Sequence, residues 1–374
     1  TDGTAGIDSF ETHKITTSAD GAHSVYATDV DGDGDMDVIS ASSLGDTIAW
    51  YENDGSENFT AHPITTTTDY PVSVYATDLD GDGDMDVLSA SEDDNGVAWY
   101  ENDGSENFAA HPITTSSTIA RSVYAVDVDG DGDMDVLSAT EGDDTIAWYE
   151  NDGSQLFTKH PITTSADGTW SVYATDVDGD GDMDVLSASS LGDTIAWHEN
   201  DGSENFTAHA ITTSANAAAS VHAVDVDGDG DMDVLSASRG NDTIAWYEND
   251  GSENFTAHAI TTSADDAPSV YAVDVDGDGD MDVLSASVGD DTVAWYENDG
   301  GESFITHKIT TTADGAHSVY AVDVDGDGDM DVLSASWHDD TIAWYENKSS
   351  SRTGDGVVKY QVAANESAEQ RTGT

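Results

Sequence analysis

Runs of aspartate and glycine are the part of this sequence best equipped for chemistry. The pattern Asp-x-Asp-Gly-Asp-Gly-Asp-Met-Asp starts at Asp29, Asp78, Asp127, Asp176, Asp225, Asp274 and Asp323, at a constant 49-residue interval. Carboxylates at positions 1, 3, 5 and 9 suit a hard cation that takes six to eight oxygen ligands, and Ca2+ tolerates irregular geometry better than Mg2+. Glycine at position 6 meets the need for a sharp turn with positive φ. Position 7 is where a backbone carbonyl would point inward. The candidate metal residues are Asp29, Asp31, Asp33, Asp35 and Asp37 in the first copy and Asp78, Asp80, Asp82, Asp84 and Asp86 in the second. The third and fourth copies supply Asp127, Asp129, Asp131, Asp133, Asp135, Asp176, Asp178, Asp180, Asp182 and Asp184. The fifth has Asp225, Asp227, Asp229, Asp231 and Asp233, and the sixth Asp274, Asp276, Asp278, Asp280 and Asp282. The seventh has Asp323, Asp325, Asp327, Asp329 and Asp331. An acidic, solvated turn is the alternative. Five aspartates within nine residues repel one another, and seven repetitions call for a counter-ion. About seven structural Ca2+ ions are therefore expected.

The elements that hold these loops read as strands. Ser24 to Ala27 leads into the first loop, Asp37 to Ser42 leaves it, and Thr47 to Glu52 and Phe59 to Thr66 follow, separated by Gly, Asn and Asp turns. No helical periodicity is present. We label the four runs A to D. Four strands in roughly 50 residues is the size of one propeller blade. The chain ends argue for a closed ring. Residues 7–18 match strand D with no strand before them, and the last repeat stops after strand C near Asn347. Phe10 to Thr17 therefore completes the last blade, since an open array would leave two unfinished edges. The expected fold is all-β: a seven-bladed β-propeller of four-stranded blades over residues 1–348, closed by the N-terminal strand. The repeated Trp50, Trp99, Trp148, Trp197, Trp246, Trp295 and Trp344 read as packing between blades.

Composition narrows the partners. Nine Lys and Arg stand against 78 Asp and Glu, which disfavours nucleic acid and anionic membrane surfaces. No apolar run approaches the roughly 18 residues of a membrane span, and cysteine is absent. The start at Thr1 is read as a trimmed product of a secreted precursor, with an extracellular or cell-surface location.

The run Asp-Val-Asp-Gly-Asp-Gly-Asp-Met-Asp-Val-Leu-Ser-Ala, followed by Ile-Ala-Trp-Tyr-Glu-Asn-Asp-Gly, resembles the FG-GAP/VCBS repeat family over roughly residues 7–347. These repeats are similar to those of integrin α-subunit propellers and some fungal propeller lectins. The resemblance implies calcium at the Asp loops on one face of a disc, with partners on the opposite face or between blades. The loop start is also similar to an EF-hand loop, but Ser40 replaces the closing Glu, and strands flank it.

Differences between copies concentrate in the D–A and B–C loops, which share the face opposite the Asp loops. Tyr70, Arg121, Trp170, Arg239 and Trp337 are the candidate ligand residues there, for a glycan or an extracellular protein; drift in tolerant loops is the alternative. The strand D histidines, His62 to His307, read as half-exposed strand residues. Asn58, Asn205, Asn241 and Asn254 sit in glycosylation sequons. Residues 349–374 leave the repeat: a linker, then a strand with Val358, Tyr360 and Val362 on one face. That strand could join copies of the chain into an oligomer or filament. No nucleophile–base constellation is found. The expected function is a non-catalytic, calcium-stabilised binding, adhesion or self-assembly module, with a structural filament subunit and a lectin-like propeller as alternatives.

Overall fold

The computed structural model describes residues 10–301 and 303–348. The expected tail strand, with Val358, Tyr360 and Val362, lies outside the described residues. The chain begins with β1 (Phe10–Thr16). Blade 1 is β2 (Ala22–Thr28), β3 (Asp37–Ser42), β4 (Thr47–Asn53) and β5 (Phe59–Thr65). Blade 2 is β6 (Pro71–Thr77), β7 (Asp86–Ser91), β8 (Gly96–Asn102) and β9 (Phe108–Thr114). Blade 3 is β10 (Ala120–Val126), β11 (Asp135–Thr140), β12 (Thr145–Asn151) and β13 (Phe157–Thr163). Blade 4 is β14 (Thr169–Thr175), β15 (Asp184–Ser189), β16 (Thr194–Asn200) and β17 (Phe206–Thr212). Blade 5 is β18 (Ala218–Val224), β19 (Asp233–Ser238), β20 (Thr243–Asn249) and β21 (Phe255–Thr261). Blade 6 is β22 (Ser269–Val273), β23 (Asp282–Ser287), β24 (Thr292–Asn298) and β25 (Phe304–Thr310). Blade 7 is β26 (Ala316–Val322), β27 (Asp331–Ser336) and β28 (Thr341–Asn347), with β1 as its fourth strand.

The strands of each blade run antiparallel in chain order, and β1 pairs with β28 from Phe10 opposite Asn347 to Thr16 opposite Ile342. The ring is therefore closed by the N-terminal strand, as the chain ends predict. Strand B is buried at all six positions in every blade, because neighbouring blades cover both its faces. Strand C alternates across the sheet. Trp50 packs toward blade 2, against Val74, Val87 and Tyr100, while Tyr51 packs toward blade 7, against Trp344. The core is thus a set of inter-blade layers, and the tryptophans form the packing expected of them.

The strand D histidines, expected as half-exposed strand residues, also make specific contacts. His62 stacks on Trp50 at 4.7 Å between ring centroids, and its Nε2 lies 2.8 Å from Glu52 Oε2. His13 repeats this on Trp344 and Glu346 at the closing seam. There, Lys348 contacts both Glu11 and Glu346. Among the described residues no other blade has this clasp, because Asp54 and its equivalents occupy the Lys348 position where a C–D turn continues the chain.

Strand A lines the channel. Tyr26, Tyr75, Tyr124, Tyr173, His222, Tyr271 and Tyr320 form a closed circle of ring contacts with centroids 4.7–5.0 Å apart. His222 is the exception in this circle, and burial between Tyr173 and Tyr271 pushes its imidazole down to about 4. Between about pH 4 and 6.5 the unfolded chain binds the His222 proton and the folded chain does not. Stability therefore falls as pH drops through that window. His222→Tyr is expected to remove this component. The melting temperature lost between pH 7 and pH 5 in calcium buffer should shrink by about 2 °C, from a penalty of about 2 kcal/mol at pH 5. An unchanged pH profile in differential scanning calorimetry would contradict it.

Candidate metal centres

The A–B loop is shaped by its own carboxylates. Asp29 Oδ1 accepts from the Gly32 and Asp33 N–H groups, and Asp29 Oδ2 accepts from Gly34 N–H at 3.0 Å. Gly34 has φ +100°, and an added Cβ would meet nothing within 4 Å. Backbone conformation, not crowding, therefore requires glycine there. Side-chain oxygens of Asp29, Asp31 and Asp33 lie within 4.8 Å of one another, as do those of Asp78, Asp80 and Asp82. In the third and fourth loops the same grouping joins positions 1, 3 and 9: Asp127, Asp129 and Asp135, and Asp176, Asp178 and Asp184. Asp35 is turned differently. Its carboxylate packs against Gly55 in the C–D turn, so its part in an ion site falls to the backbone.

Position 9 is the anchor. Asp37 is fully buried, and its two oxygens accept from Val30 N–H at 3.0 Å and Asn53 N–H at 2.8 Å. Two N–H donors suit a carboxylate. Burial nevertheless pushes the Asp37 carboxyl up to about 7, with Asp31 and Asp29 adding to the effect. Burial does the same to Asp86, Asp135, Asp233, Asp282 and Asp331, each about 7, and to Asp184, about 6. A charge wanted by its hydrogen bonds and refused by its surroundings calls for a cation. The donors are all oxygen, so they fit a hard divalent ion.

The loops are also tied to each other, by residues the sequence reading missed. Asn53 Nδ2 donates to Met36 O in its own loop and to Val324 O in the loop of blade 7. Asn102, Asn151, Asn200, Asn249, Asn298 and Asn347 each reach the preceding blade's loop in the same way. Each of these asparagines also donates its backbone N–H to the position-9 aspartate of its own blade. A closed circuit of hydrogen bonds therefore links all seven loops. Its signal in the sequence was the asparagine ending every Trp-Tyr/His-Glu-Asn run.

The FG-GAP-like repeat model matches the chain six times in overlapping pairs of blades: residues 29–89, 78–138, 127–187, 176–236, 225–285 and 274–334. The chain belongs to the FG-GAP-like repeat family. No curated protein matches it by sequence. Among solved structures, this FG-GAP-like propeller is similar to BBS1N in complex with ARL6DN, with 12% identity over 92% of this chain and 97% of that one, and a TM-score of 0.64. It is also similar to a catalytically inactive virginiamycin B lyase from Staphylococcus aureus, solved with quinupristin. That likeness has 13% identity over 90% of this chain and 98% of the lyase, and a TM-score of 0.63. At such identities the likeness is one of fold.

On the opposite face of the FG-GAP-like propeller, three of the five candidate ligand residues converge. The guanidiniums of Arg121 in blade 3 and Arg239 in blade 5 lie 4.6 and 5.0 Å from the ring centre of Trp170 in blade 4. Arg121 also contacts Glu92 and Glu141, and Arg239 pairs with Asp266. Both arginines depress the half-buried His23 and His317 imidazoles, after the desolvation of each ring. Trp337 instead donates its indole N–H to Ser43 at the blade 7–1 boundary, and Tyr70 donates its backbone N–H to Asp46. The cluster is largely engaged with itself.

More open space lies between blades. A groove of about 340 Å³ runs between the D–A loop at Thr16–Asp20 and blade 1, lined by Ser42, Thr47, Tyr51 and Ala61. A similar groove of about 250 Å³ borders blade 4, where His198 takes the place of Tyr51. Blades 1 and 4 share the B–C sequence Ser-Ser-Leu-Gly-Asp, at Ser42–Asp46 and Ser189–Asp193.

Proposed function

We propose that this FG-GAP-like propeller is a calcium-stabilised, non-catalytic binding module that works outside the cell. The buried position-9 aspartate carries the reading. It accepts two backbone N–H bonds in a site that disfavours its charge unless a cation is present. Asp29, Asp31, Asp33 and Asp37, with their equivalents, would hold the ion through carboxylate oxygens. Calcium would supply positive charge and nothing redox-active. Extracellular modules bind Ca2+ with Kd on the order of 10⁻⁴–10⁻³ M, so such sites fill where calcium is plentiful. The aspartate clusters of the A–B loops recur blade after blade, as a scaffold does.

For the ligand, the groove at blade 1 favours a polyhydroxylated molecule such as a glycan, because hydroxyl groups and one aromatic ring, Tyr51, line it. The test is a glycan array probed in calcium, with Ala61→Trp filling that groove. Binding lost in the variant, with calcium uptake by titration calorimetry unchanged at about seven ions per chain, is the expected result. Binding that survives the substitution, or an uptake of no calcium, would overturn the respective half of the proposal.

A further inference from the structure

Among the described residues the outer edge of every blade has no strand paired to it, and the seven edges are not equally protected. The fifth residue of strand D is Pro63, Pro112 or Pro161 in blades 1 to 3 and Lys14 or Lys308 in blades 7 and 6. Proline removes a donor and lysine places a charge, and both discourage an incoming strand. Lys14 and Lys308 are further held by Asp339 and Asp290. Blades 4 and 5 carry Ala210 and Ala259 instead, in identical strands Phe-Thr-Ala-His-Ala-Ile-Thr.

Blade 4 has a second feature. The groove of about 250 Å³ opens directly beside its edge, with Ala208, His209 and Ala210 of β17 in its wall and Ala196, His198 and Ser187 behind them. Strand addition draws affinity from main-chain bonds and specificity from pockets that take alternate side chains. The edge and the groove supply one each. The comparable groove at blade 1 lies against Pro63.

We infer that β17 is a strand acceptor, and that its occupant is residues 357–363 of a second copy of this chain. The sequence of that segment, Val-Val-Lys-Tyr-Gln-Val-Ala, alternates, so that an extended strand would put Val358, Tyr360 and Val362 on one side, and the groove has room for such a side chain. Charge favours it over another propeller edge. Residues 348–374 hold four basic and three acidic side chains, whereas the rest of the chain holds five basic and 75 acidic. Reach makes the contact intermolecular. Strands about 4.8 Å apart place blade 4's outer edge roughly 35 Å from the end of β28, across the disc. Residues 349–356 extend at most about 30 Å. A donor on one copy and an acceptor on the next is a head-to-tail contact, which grows chains unless it closes.

Sedimentation velocity over a concentration series tests this with the full chain, Ala210→Pro and Ala259→Pro. Proline is the native residue at this position in three sibling blades, so both variants keep a precedent for folding. The full chain is expected to gain at least twofold in average mass, Ala210→Pro to stay monomeric with an unchanged melting temperature, and Ala259→Pro to assemble like the parent. A labelled 357–363 peptide should bind the parent and not Ala210→Pro in fluorescence anisotropy. A full chain that stays monomeric at its highest soluble concentration would overturn the inference. So would assembly that persists in Ala210→Pro, is lost only in Ala259→Pro, or survives deletion of 349–374; the last outcome would point to edge-to-edge pairing.

Discussion

Chelating divalent cations at moderate salt is expected to lower the melting temperature by about 13 °C, and restoring Ca2+ to reverse the change. At free calcium ten times Kd, each proposed site would contribute about 1.4 kcal/mol, or about 10 kcal/mol for seven. An unfolding entropy of about 2.1 cal/mol/K per residue converts that into the stated shift. The loss should be cooperative around the ring. Each asparagine donates to its own blade's buried aspartate and to the neighbouring loop, so a loop that loses its ion loosens the next. Mg2+ should restore less, because it demands near-octahedral geometry. A scanning calorimetry trace that is the same with and without chelator would remove the basis for metal at these loops.

Deleting residues 1–17 is expected to be at least as damaging. It strips β1 from blade 7 and leaves β28 as a raw edge. Phe10 and Ile15 leave the inter-blade layers they pack against, and His13 leaves its stack on Trp344. Phe10 and Ile15 are partly buried, so against roughly 1.5–3 kcal/mol for a fully buried side chain they contribute about 2 kcal/mol together, and the ladder bonds and the open edge add to it. The truncated chain should therefore aggregate or melt far below the parent. A synthetic peptide of residues 7–18 added in trans should restore a monomeric, cooperatively melting protein. A truncated chain that melts like the parent would show that closure does not depend on this strand.

Repetition made much of this molecule legible before any coordinates. A 49-residue period with four strand-like runs specifies a blade, and the unmatched strand at residues 7–18 specifies how the ring shuts. The position-9 aspartate was visible as a spacing, because the Asp loops are local structures whose carboxylates lie within nine residues. The tryptophans were visible as core because alternation along strand C is local too. Neither the burial of Asp37 on both oxygens nor the turn of Asp35 toward Gly55 could be read that way. Both depend on the next strand of the sheet.

The sequence by itself determined the blade, the number of blades, the seam and the oxygen-rich loops, since each follows from short-range pattern and from counting. Tertiary structure alone decided what crosses from blade to blade. The asparagine circuit, the circle of tyrosines broken by His222 and the Arg121–Trp170–Arg239 cluster join residues 49 to 72 positions apart, and 271 to 294 apart where the ring closes at the seam. Their partners are chosen by the curvature of the closed ring, which brings equivalent points of successive blades together, and no local periodicity encodes that curvature.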